Sequence, residues 1–94
     1  MSEFKGTKGP WFFGDASRGI GPKSEDDDQS HGMIIPVAWV EFDEVDEVQQ
    51  ANANLIAAAP ELLAALQFVL PWIPTKDSEA VFLAEQAIKK ALGN

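Results

Sequence analysis

Nucleophilic catalysis asks for a serine or cysteine beside a base, and this chain has no cysteine and a single histidine, His31, set in a polar stretch. No Gly-x-Ser-x-Gly turn is present either. Asp26, Asp28 and Ser30 alternate as the ligands of a calcium loop do. His31, however, takes the position that needs glycine, and Val37 stands where a bidentate glutamate is required. There is no Gly-x-x-x-x-Gly-Lys phosphate loop, and Gly19-Ile20-Gly21 lacks the further glycine and helix of a dinucleotide fingerprint. The carboxylates of Asp26, Asp27 and Asp28, and of Asp43, Glu44, Asp46 and Glu47, lie in an open loop or at a helix start. There they stay ionised and are poor general acids. The chain therefore reads as no enzyme, with no metal and no cofactor.

Binding chemistry is better supplied. Trp11, Phe12 and Phe13 offer rings for stacking, and Arg18 and Lys23 are nearby cations, a combination suited to a single nucleotide. The competing use of the same rings is a core, which should claim at least two of the three. Asn52 and Asn54 fall in a helical stretch, where asparagine is unfavourable unless its amide finds a partner. That partner is the strand backbone, an N-terminal loop, a ligand or a second subunit. The candidate ligand-binding set is thus Trp11, Arg18, Lys23, His31, Asn52 and Asn54, with no metal ligand among them.

These residues need elements to hold them, and 94 residues suffice for one small domain. Residues 1–9 read as a flexible end. Pro10-Trp11-Phe12-Phe13 reads as a short strand, with residues 17–23 as a hairpin partner weakened by its glycines, and residues 24–32 as an exposed acidic loop. Residues 33–42 form the best strand, with Met33, Ile35, Val37 and Trp39 on one face and Ile34, Ala38, Val40 and Phe42 on the other. Pro36 demands an edge position or a bulge there. From residue 43 the period turns helical. One helix spans about 44–58, with Val45, Val48, Ala51, Leu55 and Ile56 inward and a break at Ala59-Pro60. A second helix buries Leu62, Leu63, Leu66, Val69 and Leu70. A third is capped by Thr75 or Asp77, turns Val81, Ala84, Ile88, Ala91 and Leu92 inward, and stops at Gly93. The fold class is α+β: a small antiparallel sheet of two or three strands from the N-terminal half packed on two or three C-terminal helices.

Charge narrows the partners. Of fifteen acids, nine lie in residues 25–50 with no base among them, and the formal net charge is −8. Duplex nucleic acid is excluded as a sequence-independent partner, whereas the acids could imitate a phosphate row and make the chain a DNA mimic. Absence of cysteine, of an apolar leader and of any long apolar run points to a soluble protein of a reducing cytoplasm, with no membrane partner. The two-faced strand, the aromatic cluster and Trp72-Ile73 exceed what one small core hides, so a homo-oligomer is expected.

The run Asn52-Ala53-Asn54-Leu55-Ile56-Ala57-Ala58-Ala59-Pro60-Glu61-Leu62-Leu63, behind an acidic helix start, resembles a signature of short bacteriophage and prophage proteins of undefined role. Those proteins also carry a Gly-Pro-Trp segment and a strand ending in a Val-Ala-like pair. Here these are Gly9-Pro10-Trp11 and Val37-Ala38, so the resemblance covers residues 9–70 and leaves out the last helix. It implies a non-catalytic phage accessory protein that acts by binding, in the host cytoplasm. By analogy with other small phage proteins, it would antagonise a host defence by capturing a host protein or a signalling nucleotide. An oligomeric structural or assembly protein and an acidic DNA mimic are the alternatives.

Overall fold

The structure, a computed structural model, describes residues 3–14, 17–24 and 32–93; the acidic residues 25–28 and His31 lie outside the described residues. Two compact units divide the chain: Thr7–Pro60, and the chain from Glu61 onward together with the residues before Thr7. In order, the elements are β1 (Phe12–Phe13), β2 (Gly19–Gly21), β3 (Ala38–Trp39), α1 (Asp46–Ala57), α2 (Ala59–Val69), a 3₁₀ turn (Leu70–Trp72) and α3 (Ser78–Leu92). The fold is α+β, with a three-stranded antiparallel sheet in the N-terminal half and helices in the C-terminal half.

In the first unit the strands run in the order β1-β2-β3, so the glycine-flanked strand is the central one, and all three of its residues are buried. Phe13, Ile20 and Ala38 stand opposite one another across the ladder and share a face. Phe12 with Gly21, and Gly19 with Trp39, share the other. Ile20, fully buried, joins Val40 and Ala53 in the core, with Trp11, Phe13, Ile56 and Ala57 packed around them.

The glycines flanking Ile20 are there because backbone crosses them. A Cβ on Gly21 would coincide with the Ile35 carbonyl and lie 3.0 Å from the Val37 nitrogen; one on Gly19 would lie 3.2 Å from the Pro36 Cβ. Thus glycine marks close approach at a central strand here, where the sequence suggested a weak one.

Residues 33–42 do not form one long strand. Ile35 N–H donates to the Pro22 carbonyl, Val37 N–H to that of Ile20, and Val40 N–H to that of Arg18. The acceptors are evenly spaced by two, while the donors step by two and then by three, so one extra residue enters between Val37 and Val40. This bulge lies on an edge strand, beside the proline that called for either device. Because Ile35 and Val37 supply the ladder donors, Pro36 falls where its missing N–H faces the open edge and no ladder bond is lost. The bulge also reverses the alternation. Lys23 pairs with Ile34 before it and Gly19 with Trp39 after it, so Met33, Ile35, Val37 and Trp39 do not share one face as strict alternation predicts.

α1 is opened by Asp43, whose carboxylate accepts from Val45 N–H at 2.8 Å while its own N–H donates to Gln49 Oε1 at 3.0 Å. The helix is turned relative to the expected stripe. Ala53 is buried and Gln49, Ile56 and Ala57 are half-buried, whereas Val45, Val48, Ala51 and Leu55 are exposed. The sheet supplies the bulk, in Trp11, Phe13, Ile20 and Val40, so the helix approaches on alanine. The helix ends at Ala58, and α2 restarts at Ala59 with Pro60 in its first turn, as expected of proline. Gly9, joined to Pro10 by a cis peptide, packs under Pro60: a Cβ there would lie 2.7 Å from the Pro60 Cβ.

In the second unit the 3₁₀ turn packs on α3. Asp77 caps α3 by accepting from Ala80 N–H at 3.3 Å, and Gly93 closes it in the left-handed conformation at φ 81°. Ala84 and Ile88 are buried, but Ala91 is exposed, as are Leu62 and Val69 of α2. The expected inward stripes are only partly filled, because a unit this small has more apolar side chains than interior.

Gly21→Ala should lower the unfolding free energy by about 2–3 kcal/mol through overpacking against backbone that cannot yield. Gly32→Ala, where a Cβ meets nothing among the described residues but φ is +83°, should cost only about 1 kcal/mol. Urea denaturation followed by circular dichroism measures both; equal losses would contradict the close approach at Gly21. Asp77→Ala should cost about 1 kcal/mol by the same measurement.

Candidate functional site

The sequence-derived candidates do not converge. Trp11 is half-buried against the core, its Nε1 donating to the Thr7 carbonyl at 3.2 Å, so its ring is committed to packing. Arg18 and Lys23 lie beyond opposite ends of β2. Arg18, at φ 60°, places Nη1 3.9 Å from Glu41 Oε1, and Lys23 places Nζ 4.4 Å above the Phe12 ring. Asn54 is exposed, its Oδ1 accepting from Gln50 Nε2 at 2.9 Å one turn earlier. Asn52 is also exposed, on a different side of the helix. His31 is outside the described residues.

What the fold does assemble is a cleft of about 350 Å³ beside β2 and β3. Gly14 and Gly19 give it a floor without side chains. Met33, Ile34, Pro36 and Trp39 form its walls, and Ser17, whose Oγ accepts from Gly19 N–H at 3.3 Å, is its polar group. The bulge is what brings Ile34 and Pro36 to the side of the sheet on which Trp39 stands; a Cβ on Gly19 would lie 3.2 Å from the Pro36 Cβ and 3.4 Å from the indole. Trp39 is nevertheless 64% exposed, so most of its ring remains open to solvent.

Such a cleft can hold an apolar or flat group by burial and ring contact, with a hydroxyl to orient it. Among the described residues that line it there is no general base and no cation. A second cavity, of about 460 Å³, lies along Phe13, Asp46, Glu47, Gln49 and Gln50 and is acidic and polar. Among the described residues no group of acidic or histidine side chains is placed to hold a metal ion. No single described helix is long and apolar enough to cross a membrane.

The cleft was missed in the sequence because its floor is glycine and its walls come from both sides of an assumed continuous strand. Gly14 and Gly19 were the available signal: glycines on one sheet face leave room there.

The described residues thus define a small α+β protein with an apolar surface cleft beside its sheet. The chain belongs to the family described as Salmonella phage P22 protein Y8K6, whose model matches residues 1–94. The match takes in α3 as well, beyond the 9–70 span of the sequence resemblance, and makes this a small phage protein. No curated protein and no solved structure matches it.

With Arg18 paired, among the described residues, at an exposed 3.9 Å contact, Arg18→Ala should change the unfolding free energy by no more than about 0.5 kcal/mol. A larger loss in urea denaturation would mean that Arg18 is held for stability.

Proposed function

We propose that this phage protein is non-catalytic and acts by binding a protein partner, taking an apolar or aromatic side chain of that partner into the cleft against Trp39. The observation that carries the reading is the segment of residues 33–40. It has no charged residue in a chain of net charge −8, yet Met33 and Trp39, both in the lining of the cleft, are exposed. Exposed apolar surface of this kind is what protein interfaces cover, and an exposed tryptophan beside a glycine-floored cleft has the character of an interface anchor. Capture of a host protein, and through it antagonism of a host defence, is the role such a surface suits in a phage protein.

A nucleotide is the weaker ligand. The cleft lined by Trp39 has no cation among its described walls, and the two cations proposed for phosphate are directed to Glu41 and to the Phe12 ring.

A photo-crosslinking amino acid at Met33, in the cleft wall, in host cells expressing the protein, should yield a discrete crosslinked product that Trp39→Ala removes, with the far-ultraviolet spectrum of the variant unchanged. A crosslinking pattern indifferent to Trp39, or a nucleotide that raises the melting temperature and loses that effect in Trp39→Ala, would overturn the reading.

A further inference from the structure

Around the cleft beside β2 and β3, the described backbone is largely bonded to itself. Gly14 N–H donates to the Gly19 carbonyl at 3.0 Å, Arg18 N–H to the Gly14 carbonyl at 2.8 Å, and Ser24 N–H to the Met33 carbonyl at 2.7 Å. Gly19 N–H in turn donates to Ser17 Oγ at 3.3 Å. Two side-chain donors face the cleft beside these bonds. The Ser17 hydroxyl, already an acceptor, still has its proton to give, and the Trp39 indole N–H can only donate. Both stand at one place: Ser17 Oγ and the edge of the Trp39 ring are each 3.4 Å from the point that a Cβ on Gly19 would occupy. A group laid against that indole therefore comes within reach of the hydroxyl.

We infer that, given the partner-binding reading on which this rests, the cleft takes the X-Pro unit of a proline-rich segment of the partner, with a basic residue close by. Donors beside engaged floor carbonyls select a group of the opposite chemistry. An ordinary peptide group would bring an N–H that the carbonyls of Gly14, Gly19 and Met33 are already committed elsewhere to satisfy, and a buried donor without a partner is costly. The tertiary amide before proline has no such hydrogen. It offers a carbonyl to Ser17 and, joined to it, a compact apolar ring to the indole. A phenylalanine would cover the indole and leave the Ser17 proton without an acceptor. Polyproline conformation is preformed, so little order is lost when it docks against an aromatic ring. Strand addition along the open edge, the other way for an extended segment to dock, is closed off by Pro36, whose missing N–H faces that edge. Charge supplies the basic flank. Two residues beyond Trp39 comes Glu41, its side chain 97% exposed even beside Arg18, in a chain of net charge −8, so a lysine or arginine near the proline is attracted and an acid repelled.

The test titrates the isotope-labelled full chain with a synthetic peptide, Arg-Ala-Pro-Pro-Ala-Pro-Pro, and with its counterpart carrying alanine at every proline. The Trp39 indole resonance, assigned with Trp39→Phe, and the Gly19 amide should shift together with the proline peptide, and the alanine peptide should bind at least tenfold more weakly. Ser17→Ala should weaken the proline peptide at least fivefold, with resonances away from the cleft unchanged. Glutamate in place of the arginine should weaken it at least threefold, by a margin that shrinks as salt is added. An alanine peptide that binds as well, binding indifferent to Ser17→Ala, or no shift at millimolar peptide would each overturn the inference. Such a failure with the Trp39-dependent crosslink at Met33 retained overturns it alone; failure of both overturns the partner-binding reading with it.

Discussion

The passage of the Ile35–Pro36–Val37 backbone across Gly21 is the contact on which the first unit is built. A strand normally keeps its neighbour at the spacing of ladder hydrogen bonds, with Cβ atoms standing clear on both faces. Here β2 has given up side chains on one face altogether, leaving Ile20 to anchor the other. Closing the backbones on that side allows β3 to take its extra residue, and the extra residue sets Trp39 where it is. Core and cleft are therefore two faces of one three-residue strand. Ile20 fills the first, and the glycines beside it empty the second.

The same economy governs the helix. The inward side of the sheet is already crowded with Trp11, Phe13, Ile20 and Val40, so α1 docks on Ala53, Ile56 and Ala57, and Val48 and Leu55 are left in water. Contact between Gly9 and Pro60 joins the entry of the unit to its exit. Gly9-Pro10-Trp11 and the alanine-proline run, far apart in sequence, thus meet around a single core, and this is a physical reason for one chain to carry both.

Much of the fold was legible in advance. The α+β order, the helix restart at Pro60, a cap at Thr75 or Asp77, of which Asp77 is the one used, and the Gly93 stop follow from local backbone chemistry, which needs no knowledge of neighbours. The bulge or edge demanded by Pro36 was legible for the same reason. What alternation and helical periodicity could not supply was which side of each element would face in. Apolar residues on both sides of residues 33–42 and around α1 leave that choice to packing volume, and there small residues won over large ones. The binding candidates were chosen by chemical type, and type does not say that Trp11 is committed to a core while Trp39 stands beside glycine. Asn52 was legible as an oddity, and only the orientation of α1 separates it from Asn54.

Pro36 has one more effect, on what happens when many copies share a cell. An uncharged segment rich in isoleucine, valine and tryptophan, lying open along a sheet margin, has the composition that seeds fibrils by adding strand upon strand. Each added strand would need an unbroken row of amide donors along that margin. The imino nitrogen interrupts the row at its middle, and the bulge bends what remains out of register. The segment can thus remain apolar and exposed while being a poor template for its own polymer.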